Sequence, residues 1–152
     1  MPAAQPRPAA LIALVVVLIA QGIGAVGGGL ALVVSPKGGV VKMPLSYLQG
    51  SPFHDYLIPG SILLVVLGIG PLVAAWALLR RPESAALERI NPFRHEHWGW
   101  TLSGVIGVGL LIWIAVEVTI IPYNVLQPVF GAVGLVIVAL TLLPSVRRAC
   151  RR

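Results

Sequence analysis

The stretch WGWTLSGVIGVGLLIWIAVEVTII, Trp98 to Ile121, is the natural starting point, because its 24 residues hold one charged side chain, Glu117, near the far end. At about 1.5 Å per residue, a helix of this length crosses a bilayer hydrocarbon core of about 30 Å. An ionisable group inside such a span costs about 2.5 to 3.5 kcal/mol at mid-depth and less near an interface, so Glu117 is expected to face protein or water. On a helical wheel at about 100° per residue, Ser103, Ile106, Leu110, Trp113 and Glu117 fall close to one line. That stripe is the expected interior face.

Working outward, the 152 residues are 57% hydrophobic and 11% charged, against about 25% charged in ordinary soluble domains. A mean hydropathy of +0.92 agrees with a packed membrane bundle forming a single domain. The net charge of +6 and pI near 10.5 do not point to nucleic acid, because the basic residues sit at the ends of apolar runs, where anionic lipid headgroups lie. Arg80, Arg81, Arg94, Arg147 and Arg148 are the expected lipid-contacting residues. A single cysteine, Cys150, excludes an internal disulfide and Cys-x-x-Cys redox chemistry.

Upstream, an apolar run from about 9 to 34 predicts a first span, too long for a signal-peptide core of about 7 to 15 residues. Its second half is rich in glycine; Gly24 and Gly28 are expected to let a neighbouring helix approach, with Val15 facing lipid and the Gln21 amide directed toward a packed helix. Residues 35 to 56 form a breaker-rich loop in which Leu45, Tyr47 and Leu48 could make one interfacial turn. Ser51-Pro52 resembles a helix start that Pro59 would interrupt, and the second span, about 57 to 79, should kink at Pro71. A charged loop, 80 to 97, includes a short surface helix over 84 to 90, and Trp98 and Trp100 are expected to mark the membrane interface. The third span, 98 to 121, and a fourth, about 125 to 143, are joined tightly and should be antiparallel neighbours.

Four spans put both termini on the side of the 80–97 loop. That side holds Arg7, four arginines between 80 and 94 and four in the tail, which is nine of the eleven basic residues. The positive-inside bias then makes both termini cytoplasmic in a cell-membrane protein, with Lys37 and Lys42 outside.

This threading brings Glu117, Gln127, His54, Asp55, Tyr56 and Tyr123 toward the outer side. They could form a shallow polar site, with Trp113 beside Glu117, that binds a cation or proton, or in which His54 and Asp55 handle a lipid headgroup. Equally, Glu117 could belong to a structural cap, pairing with Lys37 or Lys42 or accepting from Tyr and Gln side chains, with His54 and Asp55 solvated. The His95-Glu96-His97 cluster lacks the further ligands a metal needs, no histidine lies inside a span to hold haem, and phosphate-loop and dinucleotide fingerprints are absent. No metal or cofactor is expected.

The segment Ser51-Pro52-Phe53-x-Asp55-Tyr56-Leu57-Ile58-Pro59-Gly60, with the glycine-rich first span, Trp113-Ile114, Glu117 and Leu126-Gln127-Pro128 before Gly131 and Gly134, resembles small four-span membrane proteins of high-GC, actinobacterial-type bacteria. The resemblance implies a topology and carries over no catalytic role. Small multidrug transporters also have four spans and a membrane glutamate, but theirs lies in the first span. The expectation is therefore an all-α, four-span membrane protein that is a non-enzymatic binding or accessory component. It contacts the bilayer and either a second copy or a larger membrane partner. The alternatives are a homo-oligomeric proton- or cation-coupled transporter or channel using Glu117, and a lipid-headgroup enzyme at the outer leaflet.

Overall fold

The computed structural model describes residues 6–152, which form helices and connecting turns with no strand among the described residues. In chain order these are α1 (Ala9–Val34), α2 (Leu57–Leu64), a π-helical turn (Val65–Ile69), α3 (Gly70–Arg80), α4 (Ala85–Ile90), α5 (Trp98–Ile120), α6 (Leu126–Leu142) and α7 (Pro144–Ala149). Three helical stretches, α1, Leu57–Arg80 and α5, are long and apolar enough to cross a membrane, and α6 is a shorter apolar helix. These point to a membrane protein.

The bend expected at Pro71 takes the form of the π-turn. Pro71 has no N–H for the Leu67 carbonyl four residues back, and the ladder widens just before it, with the Gly70 N–H bonding Val65 O. Pro59 does not interrupt α2. It falls in the first turn, where its missing N–H would have had no intrahelical partner. Ser51-Pro52 opens no helix; the α2 start is held instead by Asp55, whose Oδ1 accepts from the Leu57 N–H at 3.0 Å.

α1 lies against α2, the π-turn and α3 along an interlocked seam. A Cβ on Gly22 would come within 2.6 Å of Leu72 Cγ, one on Gly68 within 2.9 Å of Val26 Cγ2, one on Gly29 within 2.6 Å of the Leu64 nitrogen, and one on Gly60 within 2.6 Å of Leu32 Cβ. Each helix thus offers glycines to large side chains of the other. The close approach expected at Gly24 and Gly28 falls on Gly22 and Gly29 instead: a Cβ on Gly24 meets nothing within 4 Å, and one on Gly28 meets only Leu63 at 3.6 Å. Val15, expected toward lipid, is a core residue at 5% exposure, while neighbouring Val16 is exposed.

α5 and α6 pack as antiparallel neighbours, with Gly107 against Val138 and Gly134 against Leu111. Ser103, Ile106 and Leu110 are buried, as the wheel predicts. Trp98 and Trp100, expected to mark the interface, are not exposed. Both are buried and use their indole N–H groups on carbonyls left free at chain breaks: Trp100 donates to Thr141 O at 2.8 Å and Trp98 to Pro82 O at 3.1 Å.

The same end carries a polar layer. Asn91 donates to Glu96 O at 2.8 Å and accepts from Thr101 Oγ1 at 2.7 Å, and buried Glu96 binds Arg147 Nε at 2.7 Å. His97 caps α5, its Nδ1 accepting from the Gly99 N–H at 3.1 Å. The chain end closes over this layer through an isolated antiparallel bridge between Glu96 and Arg151 and an ion pair of Arg152 with Glu88 at 3.2 Å.

Candidate ligand cavity

Below the π-turn, α3 packs on α5; above it, α2 follows α1 and has no comparable packing against α5. The π-turn therefore splays α2 from α5 and leaves a cavity of about 450 Å³ between α1, α2, α5 and α6. That volume lies within the range of small-ligand sites, about 300 to 1,000 Å³. Its walls are almost wholly apolar, among them Leu32, Leu63, Leu110, Ile114 and Phe130.

The 36–56 loop roofs the cavity. Its fold comes from Gly38 at φ 80°, whose carbonyl accepts from the Met43 N–H at 3.0 Å, and from Tyr56, whose N–H and hydroxyl donate to Pro36 O at 2.8 Å and Pro44 O at 2.9 Å. Burial, then the neighbouring Tyr47, pushes the Tyr56 phenol up, so it stays a donor at neutral pH. The turn expected around Leu45–Leu48 is present as one 3-10 turn, and Leu48 is buried against Leu32 and Tyr56 rather than lying along headgroups. Met43, Leu48, Phe53 and Tyr56 line the roof. Tyr56 was expected near this site, but Met43, Leu48 and Phe53 were not legible as site residues, since Pro and Gly breakers mark a loop but not what it folds onto.

Two polar side chains reach the cavity. Gln21, 3% exposed, donates its Nε2 to Leu67 O at 3.4 Å, the carbonyl that Pro71 deprives of its helical donor. This fixes the amide orientation, because a carbonyl accepts only from the NH2 group. Gln21 Oε1 is then left buried without a partner, the one such side-chain atom among the described residues. A buried unpaired acceptor costs about 1 to 3 kcal/mol. Higher up, half-buried Glu117 accepts from Trp113 Nε1 at 3.0 Å, one turn back on the same face, with Gln127 beside it.

Of the remaining candidates, Gln127 stays beside Glu117 without lining the cavity, and the others lie apart from it. Gln127 is buried, and its Nε2 donates to Ile121 O at 3.3 Å, capping the end of α5. His54 is exposed and Asp55 is engaged at the α2 start; neither lines the cavity, so the convergence of His54 and Asp55 with Glu117 does not occur. Glu117 pairs with neither Lys37 nor Lys42, since the ion pairs among the described residues are Arg147–Glu96 and Arg152–Glu88. Among the arginines expected at lipid, Arg80 and Arg94 are exposed. Arg147 is instead committed to Glu96 and lies 5.6 Å over the Trp100 ring, and Arg81 donates to Ala149 O. Comparison with protein-family models, curated proteins and solved structures returns no match to the chain.

Proposed function

We propose that the chain is a four-span component of a bacterial cell membrane with both termini cytoplasmic, and that it is a non-enzymatic binding protein for a lipophilic ligand held in the cavity between α1, α2, α5 and α6. The topology is supported by the basic residues: Arg7, Arg81 and the tail arginines gather at one end, with Lys37 and Lys42 on the 35–56 loop. α6, with its flanking Val125 and Leu143, serves as the fourth span. The binding reading is carried by one observation above all: an apolar cavity of ligand size lined in part by Gln21, whose buried amide oxygen has no partner. A ligand with an apolar body fills the void, and a hydrogen-bond donor on it would satisfy that oxygen once the Gln21 side chain turns toward it. Entry through the gap between α2 and α5 makes the bilayer its source.

A second reading has its own observation: Glu117 stands half-buried at the same cavity with no cation paired to it among the described residues, which suits a proton- or cation-coupled transporter. One experiment addresses both. The protein is purified in mild detergent, and the lipophilic molecules it carries are identified by native mass spectrometry beside Gly24→Leu, which places a side chain in open space within the cavity, and Glu117→Gln. Loss of the bound species in a folded Gly24→Leu, with retention in Glu117→Gln, supports binding. Retention in Gly24→Leu, or no bound species in the wild type, overturns it. Coupled transport abolished by Glu117→Gln would establish the second reading.

A further inference from the structure

A second recess lies at the opposite end of the molecule, independent of the apolar cavity. It has a volume of about 740 Å³ and is edged by Arg7, Arg81, Arg148 and Arg151, with Leu11 and Ser145 among its other lining residues. No carboxylate lines it among the described residues, and residues 1–5 contain no Asp or Glu. Of the acidic groups at this end, Glu96 is bound by Arg147 and Glu88 by Arg152, and exposed Glu83 does not line the recess. Four arginines therefore edge one recess with no carboxylate among its described lining residues.

The fold holds them there. Arg7 Nη2 donates to Leu79 O at 2.7 Å, tying the segment before α1 to the last turn of α3. Arg81 takes the left-handed conformation, φ 49°, just past the end of α3 and donates to Ala149 O in α7. A left-handed conformation disfavours a non-glycine residue, so tertiary contacts are holding Arg81 in place. Arg148 and Arg151, on and just after α7, complete the edge and make no side-chain hydrogen bond among the described residues. Arginine forks match phosphate oxygens two at a time, and four of them exceed what one monoanion needs.

From this geometry we infer that the recess binds a phosphate-bearing anion with more than one negative charge, either the headgroup of an anionic lipid or a free diphosphate. Its place beside the starts and ends of membrane-length helices puts it at headgroup level, and basic pockets of this kind between helices suit lipids such as those with two phosphates. The inference needs the membrane character of the chain but not the apolar cavity or its ligand.

The test compares Arg148→Gln/Arg151→Gln with Arg89→Gln/Arg94→Gln. Both pairs remove two exposed charges that carry no side-chain hydrogen bond among the described residues, so both should fold, which circular dichroism and elution volume verify. Protein in phosphatidylcholine nanodiscs is titrated with cardiolipin and read by native mass spectrometry; in parallel, detergent-solubilised protein is titrated with inorganic pyrophosphate by calorimetry. The recess pair should weaken binding by about 30-fold and the control pair by less than about threefold. Cardiolipin binding with that pattern assigns a lipid; pyrophosphate binding with that pattern and no cardiolipin preference assigns a free anion. Equal weakening by both pairs would show diffuse surface attraction, and it would overturn the recess as a site, as would no binding in either arm.

Discussion

At the end that gathers the arginines, Trp100, Thr141, Asn91 and Glu96 are buried and each has a hydrogen-bond partner, whereas at the opposite end α2 and α5 stand apart around a cavity lined in part by Gln21, whose buried amide oxygen has no partner. Both ends are built from the same helices. What separates them is the π-turn at Val65–Ile69: α3 continues against α5 on one side of it, and α2 leaves with α1 on the other. One proline, by removing one N–H, both bends the helix away and frees the Leu67 carbonyl that holds Gln21 at the cavity. The lesson is that a break in a helix can create a void and also supply the polar group that marks it.

The sharpest way to break this comparison lies along α1. Gly29→Leu should destabilise by about 3 kcal/mol or more, because its Cβ alone would meet the Leu64 backbone at 2.6 Å, which cannot move as a side chain tip can. Gly24→Leu should change stability by less than about 0.5 kcal/mol, since its Cβ meets nothing. Reversible unfolding in bicelles measures both, and equal losses would mean that the cavity end is as tightly closed as the seam.

At the closed end, Arg147→Ala should cost about 1 to 3 kcal/mol, since it leaves the Glu96 carboxylate, 3% exposed, without its cation. The expected value lies toward the lower part of that range because Arg147 itself is half exposed to solvent. The same unfolding assay decides it, and a neutral Arg147→Ala would show that the polar layer is only a solvated surface.

Labelling probes alter the fold least. Cys150 is 3% exposed, and burial, opposed by Arg81 and aided by Glu96, pushes its thiol up to about 11, so it stays protonated near neutral pH and reacts slowly wherever it lies. Orientation is better read from exposed positions in a Cys150→Ala chain. Lys37→Cys should react with a membrane-impermeant maleimide in intact cells, and Arg94→Cys only after lysis. The reverse pattern would exchange the two ends.

The long apolar helices, their limits to within a residue or two and the buried face of α5 were legible in the residues, because apolar run length and 3.6-residue periodicity are local properties of the chain. The short helix α7 was not legible, since Pro144 reads as a stop and is instead its first residue. Even the bend at Pro71 follows from a missing N–H. Which glycines would touch a neighbour was not legible: Gly22, Gly24, Gly28 and Gly29 lie within two turns of one helix, and only the rotation and crossing of α1 against α2 and α3 chooses among them. For the same reason, polar residues expected at one end of the bundle, such as His54 and Glu117, need not line one cavity. The cavity, its orphaned Gln21 oxygen and the gathering of Arg7, Arg81, Arg148 and Arg151 come from contacts between residues 46 to 144 positions apart, and only the tertiary structure brings such residues together.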